Sequence, residues 1–524
     1  MTDRRFASPD FSRRALFAAG GAAVLGAAAA RAETPAPAAA PAPGFGFADV
    51  VEIARTLADK PHAVQQMKLT GIFADMGYDR YRSVRPRPEA RLWRSEKLGF
   101  EAELLPPGGI FRDPVQIFEL RDGVPTAMPF DAGMLEFGAP AFDLPEGRVP
   151  AGEGAGLQWS GFRLRCPINR PDVLDEVAVF QGASYFRAIG RGQVYGTSAR
   201  ALAIRTGAPE GEEFPVFSRF WLVRPDPDAN EMRFHALLES PSLTGAYDFT
   251  LRPGADTTID VRSVLFPRVD LGDVGMAPLT SMYFFGSKER AQVDDYRDAV
   301  HDAGGLQILN GHDERIWRPL ANPATLQFST FLDENPKGFG LVQRRRAFEE
   351  YQDAEARYDL RPSAWITPAE DWGAGGCTLV EIPTGSEFND NIVAFWRPGA
   401  PLKAKTPQRV AYRLHWCVEP PDGSPALRVM ATRSGLDVNN VKRRVLMIDF
   451  DLQGRGVEAL ELRVETGAEM FHAGLSALPT LSRARAALVF TPPSTGTAEF
   501  RLWLAERDGG ATVSEIWLHR WTPR

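Results

Sequence analysis

The chain is poor in cysteine, in clustered histidine, in excess positive charge and in long apolar runs. Cys166, Cys377 and Cys417 are its three cysteines in 524 residues. They allow one disulfide at most, and a chain of this length buries a core without one. The seven histidines, His62, His235, His301, His312, His415, His472 and His519, are scattered, and no Cys or His pair has metal-ligand spacing. A structural zinc site is therefore not expected. The formal net charge is −7, so no global basic field exists to hold nucleic acid. With 44% hydrophobic and 24% charged residues, the composition is that of a globular domain protein, neither disordered nor polytopic in a membrane. Familiar catalytic loops are also missing. Gly152-Glu153-Gly154-Ala155-Gly156 lacks the setting and the Lys-Ser/Thr ending of a phosphate loop. Gly182-Ala183-Ser184-Tyr185 is no nucleophile elbow, because no glycine stands two residues after the serine.

What is present begins with an address. Ser12-Arg13-Arg14-Ala15-Leu16-Phe17 is a twin-arginine motif, followed by an apolar stretch from Ala18 to Ala30 that is too short for a membrane span. It ends in Ala30-Arg31-Ala32, a small-x-small cleavage site. Residues 1–32 are therefore expected to be a twin-arginine signal peptide, and the mature protein to be periplasmic and not embedded in a membrane. Residues 33–44 are an Ala/Pro linker, too poor in bulky side chains to bury apolar area.

Phe47, Val50, Val51, Ala54, Leu57 and Ala58 then share one helical face. Farther on, short alternating runs take over, such as Tyr247, Phe249 and Leu251, or Thr257, Ile259 and Val261. Gly 48 and Pro 42 supply the turns between them, the signature of a large antiparallel β-structure. A Pro/Gly break at Pro398-Gly399-Ala400-Pro401 is followed by an alternating run through Val410, Tyr412, Leu414, Trp416 and Val418. The expected organisation is all-β: one large domain over residues 45–398, a linker at 399–407, and a small β-sandwich over 408–524.

Between residues 294 and 392, carboxylates, aromatic rings and arginines interleave on loop-like segments. Examples are Arg315-Ile316-Trp317-Arg318, Tyr351-Gln352-Asp353, Arg361-Pro362-Ser363-Ala364-Trp365 and Glu387-Phe388-Asn389-Asp390-Asn391. Carbohydrate sites need this mixture: aromatic faces stack on sugar C–H surfaces, Asp, Asn and Arg bind hydroxyls, and two carboxylates can cleave a glycosidic bond. The same residue types also build turns and cores. Tyr351, Tyr358, Trp317 and Trp365 are the candidate stacking rings, with Arg318 and Glu387 as candidate polar contacts to substrate.

Several long strings carry a resemblance. They include Gly182-Ala183-Ser184-Tyr185-Phe186-Arg187-Ala188, Tyr195-Gly196-Thr197-Ser198-Ala199-Arg200, Ala277-Pro278-Leu279-Thr280-Ser281-Met282, Asn335-Pro336-Lys337-Gly338-Phe339-Gly340, Asn389-Asp390-Asn391-Ile392-Val393-Ala394-Phe395-Trp396 and Val429-Met430-Ala431-Thr432-Arg433. Through these the chain resembles the periplasmic osmoregulated glucan biosynthesis proteins, the OpgG/OpgD (formerly MdoG/MdoD) family, over nearly its whole mature length. The resemblance implies a large β-sandwich of galactose-mutarotase type followed by an immunoglobulin-like β-sandwich. It implies an inverting endo-β-1,2-glucanase acting on the backbone of periplasmic glucans. The alternatives are a β-1,2-glucan transglycosylase and a non-catalytic glucan-binding partner of a membrane glucan synthase. Its general acid falls on Asp390 and its general base on Asp302, in His301-Asp302. Glu387, three residues before Asp390, is a carboxylate neighbour that could help keep the acid protonated. No cofactor or metal is expected. The expected partner is β-1,2-glucan; a membrane glucan synthase and a second copy of the chain, in a homodimer, are also admitted. The chain departs from the family at Gly304, where many members carry a second Asp, and at Phe388, where small or Thr-like residues are common.

Overall fold

Alternation of apolar and polar side chains makes strands here, and most of the strands fall into two large packed sheets. The computed structural model describes residues 44–63, 66–290, 293–421, 423 and 426–523. The expected signal peptide and residues 33–43 of the expected linker lie outside the described residues. Among the described residues, no helix is long and apolar enough to cross a membrane.

The first sheet runs in the order Glu101–Leu105, Gly161–Cys166, Asp175–Gln181, Tyr185–Ala188, Ser198–Arg200, Val274–Ser281, Ile392–Pro398, Ala374–Glu381 and Gln327–Glu334. The second is longer. Its middle consists of Ser363–Pro368, Gln408–Cys417, Thr257–Pro267, Leu243–Arg252, Met232–Glu239 and Val216–Val223. In the pair Leu243–Arg252 and Thr257–Pro267, Phe249 stands opposite Val261 and Leu251 opposite Ile259, so one face is continuously apolar. That face meets the first sheet through aromatic rings. Phe180 and Phe234 lie 4.9 Å apart edge to face, and Phe162 and Phe220 repeat the arrangement at 4.9 Å.

The strand Gln408–Cys417, expected to open the small sandwich, sits instead in the middle of the long sheet. It is bonded to Thr257–Pro267 on one side and to Ser363–Pro368 on the other. Its Val410, Tyr412, Leu414 and Trp416 fill the first core. Their alternation reports a half-buried strand but carries no information about which sheet buries it.

A second core follows. The sheet of Val429–Asp437, Asn440–Asp451, Arg483–Thr491 and Glu469–Leu478 packs through Ile448, Phe450, Leu488 and Phe490 against Phe500, Leu502, Leu504 and Trp517. The latter four belong to Ala498–Glu506 and Ile516–Trp521 at one end of the long sheet. The join is a parallel pairing of Ile316 with Ile516 and Trp317 with Trp517.

The expected N-terminal helix spans Phe47–Ala58. Its Val50 and Ala54 pack against Trp221, Leu237, Ala246 and Phe266 on the outer face of the long sheet.

Candidate functional site

Asp302 follows the short strand Val300–His301, in which His301 pairs with Tyr283. The Asp302 amide donates to the Met282 carbonyl at 2.9 Å. Its side chain is buried and accepts a hydrogen bond from Arg361 Nη1. Arg361 is itself fixed: it donates to the Ala356 carbonyl at 3.1 Å and lies 4.2 Å above the Tyr358 ring. Its stem also runs over Gly196, where a β-carbon would come within 2.9 Å of Arg361. Burial raises the Asp302 pKa; Arg361 works against that, and the negative charge of Asp390 works with it.

Asp390 ends the loop that leads into the strand Ile392–Pro398. The next residue, Asn391, is buried and anchors the loop. Its Oδ1 accepts from the Tyr283 amide at 2.8 Å. Its Nδ2 donates to the carbonyls of Tyr283 and Ile382, each at 3.0 Å. Asp390 is exposed, with Oδ2 3.4 Å from Nη2 of Arg187 on Tyr185–Ala188. Thus two loops 88 positions apart in sequence, ending at 302 and 390, are tied to one two-residue backbone segment, Met282–Tyr283.

Behind them stands a neutral histidine. His301 stacks on Tyr283 at 5.2 Å and meets the edge of Tyr351 at 5.3 Å. Burial, and then the charge of Arg345, push its pKa down to about 3. Gln343 Nε2 lies 3.3 Å from His301 Nδ1.

Glu387 has a different place from the one expected. Arg297 donates to both its oxygens, at 2.9 and 3.1 Å, and Tyr358 donates to Oε2 at 2.6 Å. Burial opposes its ionisation, but these bonds prevail and its pKa is lowered. An ionised Glu387 engaged this way braces the loop rather than sharing a proton with Asp390. Arg297 also holds Asp353 and Asp295, each at 2.8 Å.

Tyr351 and Tyr358 are buried with Met282, Phe285 and Val300. They back Asp302 and offer no open face to a sugar. Trp317 and Trp365 belong to the second core. Trp365 is 1% exposed and packs so tightly under Gly338 that a β-carbon there would meet its ring at 2.4 Å. Arg318 is buried and donates to Glu381 at 3.1 Å, while Glu381 also accepts the Ala321 amide at 2.7 Å. These three are interior residues, and the structure does not bring them into the network around Asp302.

Other residues do surround the aspartates. Arg187 and Arg361 touch them directly. Tyr185 feels the charge of Asp390. Phe388 is 92% exposed two residues before Asp390, and Tyr296 is 75% exposed beside Arg297. Arg187 and Gly196 both lie in strings that carried the resemblance; nothing in residue spacing singled them out. Among the described residues, no group of three or more His, Cys, Asp or Glu side chains could hold a metal ion.

Two aspartates on one frame, each bonded to an arginine and set on stacked antiparallel sheets, form the polar site of an all-β protein. Residues 45–521 match the family described as "Periplasmic glucan biosynthesis protein, MdoG", and the chain belongs to that family. It is 44% identical over 477 residues to the Glucans biosynthesis protein G of Bradyrhizobium diazoefficiens, covering 90% of this chain and 93% of that protein. It is 42% identical to the protein of the same name from Vibrio cholerae, covering 90% and 86%. The same identity holds for that of Shewanella frigidimarina, covering 90% and 84%.

Proposed function

We propose that the chain is a periplasmic glucan-processing enzyme, an inverting endo-β-1,2-glucanase acting on the backbone of exported glucan. The observation that carries this reading is the common attachment of the Asp302 and Asp390 loops to Met282–Tyr283. An inverting glycosidase needs two carboxyl groups held in fixed relation across the scissile bond. Asp390, exposed at the end of its loop, is the general acid: it gives its proton to the glycosidic oxygen as the C–O bond breaks. Asp302 is the general base: it takes a proton from the attacking water, whose oxygen bonds to the anomeric carbon from the opposite face. A buried carboxylate with a raised pKa is a stronger base than an exposed one, which suits this role. Arg361 keeps enough of it ionised to act. Phe388 and Tyr296 supply open rings on which sugar faces can stack.

A second reading, transfer of the glucosyl group to a sugar hydroxyl, is favoured by Gly304. It stands where a second carboxylate would otherwise help to order water. Mass spectrometry of the products from linear β-1,2-glucan tests both readings. Added water across the products marks hydrolysis. Conserved total mass with changed chain lengths marks transfer. Unchanged glucan would overturn the enzymatic reading and leave a binding role.

Delivery to the periplasm is proposed to use the twin-arginine route, in keeping with Arg13 and Arg14. Replacing both with Lys should leave precursor in the cytoplasm; a normal periplasmic yield would refute that route.

A further inference from the structure

Arg297 uses every donor it has. Nε donates to Asp295 Oδ1 at 3.0 Å, and Nη2 donates to Asp295 Oδ2 at 2.8 Å. Nη1 donates to Asp353 Oδ2 at 2.8 Å. The remaining two N–H groups take the two oxygens of Glu387, at 2.9 and 3.1 Å. A guanidinium carries five N–H groups in a rigid planar fork, whereas a lysine ammonium carries three on a flexible stem. The Arg297 and Asp353 side chains are 11% and 8% exposed, so these charge-assisted bonds are shielded from water and costly to lose.

Two of the three carboxylates lead to different catalytic aspartates. Asp353 Oδ1 accepts the amides of Glu355 and Ala356, at 3.0 and 2.7 Å. The Ala356 carbonyl accepts from Arg361 Nη2 at 3.1 Å, and Arg361 holds Asp302. Glu387 lies three residues before Asp390 in the other loop. Tyr358 braces both arms: its hydroxyl donates to Glu387 at 2.6 Å, and Arg361 lies over its ring. Met282–Tyr283 grips the two loops at their roots only, and a loop held at one point can pivot about it. The pair of Asp390 with Arg187, exposed and at 3.4 Å, adds little restraint.

We propose that Arg297 is a positioning residue for the glucan reaction: it clamps the loop of Asp390 to the segment that holds Asp302 and so fixes the separation of the two carboxyl groups. The assignment rests on the reading of these aspartates as acid and base. Geometry of this kind is worth much, because a misplacement of about 1 Å can cost ~10²-fold in rate.

Arg297→Lys tests the clamp. It keeps the positive charge among the three carboxylates, so it should fold, and the melting temperature checks this. Its fewer donors cannot hold all three partners. On linear β-1,2-glucan, kcat should fall by about 10- to 100-fold while KM changes by less than about twofold. Hydrogen exchange should show the amides of 354–358 and 386–390 opening together. Asp353→Asn is the second variant. Its Oδ1 still accepts from Glu355 and Ala356, but the bond of Oδ2 to Arg297 is lost, and kcat should fall in the same direction. A residue that only stabilised the fold would lower the melting temperature and leave kcat of the folded protein unmoved. Folded Arg297→Lys with kcat within about twofold of wild type, far short of a positioning effect, would overturn the proposal. So would faster exchange in one segment alone. If the wild-type protein leaves the glucan unchanged, the acid and base reading fails instead. Exchange then decides the clamp by itself: joint opening supports it, and separate opening sinks it.

Discussion

The Asn391 side chain takes both hydrogen-bonding groups of the Tyr283 backbone, accepting from its amide at 2.8 Å and donating to its carbonyl at 3.0 Å. A side-chain amide thus stands in for a strand partner. Because Tyr283 pairs with His301, and Met282 accepts the amide of Asp302, one short stretch of backbone sets the positions of two distant loops. All of these bonds are buried, where an unmade hydrogen bond is expensive, so the frame is rigid.

Asp390→Asn should abolish turnover while leaving fold and glucan binding intact. Asn keeps the size of Asp but has no proton to give the leaving oxygen. General acid catalysis is worth about 10²–10⁴-fold, and a sugar alkoxide is a poor leaving group, so the loss should reach the upper part of that range. Asp302→Asn should also slow the reaction, by a smaller factor if water relays the proton. Rates on linear β-1,2-glucan, with melting temperature as control, decide. A folded Asp390→Asn variant within about tenfold of wild type, well below the general-acid range, would remove Asp390 from the role.

Arg361→Met should move the acidic limb of the rate profile to higher pH. Burial raises the Asp302 pKa and Arg361 opposes it, so loss of the cation raises it further. The base works only when ionised, and ionisation would then need a higher pH. The same sign governs stability. A carboxyl whose pKa is raised by folding contributes fully at low pH, and that contribution is lost as pH rises through the folded value. The variant's melting temperature should therefore fall further below wild type as pH rises past the wild-type folded value of Asp302. An unmoved acidic limb would show that Asp302 is not the group titrating there.

Trp365→Ala and Phe388→Ala should fail in opposite ways. Trp365 is core, and its truncation should cost about 3–5 kcal/mol of stability. Phe388 is exposed beside Asp390, so its truncation should leave the melting temperature alone and weaken glucan binding by roughly five- to tenfold, the scale of one lost stacking contact. Calorimetric unfolding and glucan titration separate the two. Full affinity in Phe388→Ala would rule out stacking at that ring.

Gly304→Asp should fold normally and raise the hydrolytic share of the products. A β-carbon at Gly304 would meet Gln343 Oε1 and His301 Cε1 no closer than 3.7 Å, so the backbone there accepts the β-carbon of the Asp that many relatives are expected to carry. Uptake of ¹⁸O from labelled water, counted per bond cleaved, measures that share. If the share is unchanged, residue 304 does not govern access of water.

Much of the fold was legible because period reports burial. The helix at Phe47–Ala58 and the paired strands around Phe249 and Ile259 follow from 3.6- and 2-residue repeats. Destination was not legible in the same way. The alternation in Gln408–Cys417 is equally compatible with either sandwich, and only the pairing with Thr257–Pro267 assigns it. The site followed the same division. Asp302 and Asp390 were reachable through resemblance. Trp317 and Trp365 looked like sugar platforms because rings, arginines and carboxylates interleave along that stretch of sequence, but their strands turn both rings into the second core. Arg187 and Arg361, which touch the aspartates, are two among many arginines, and their roles depend on contacts made only after folding. Glu387 illustrates the limit: its three-residue distance from Asp390 suggested a shared proton, whereas Arg297, 90 positions earlier, claims its charge.

The parallel pairing of Ile316 with Ile516 and Trp317 with Trp517 has a bearing on the order of events during synthesis. The strand Arg315–Pro319 keeps one edge bare until residues 516–521 have been made, some 200 positions later. An interior strand edge left open is an invitation to pair with a neighbouring chain, and a contact of such separation forms late. The ribosome must therefore release almost the whole polypeptide before this sheet can close. A chain stopped before Ile516 would lose more than its last strand: it would leave the larger sheet unsealed beside Trp317 and open the second core, to which Trp517 belongs.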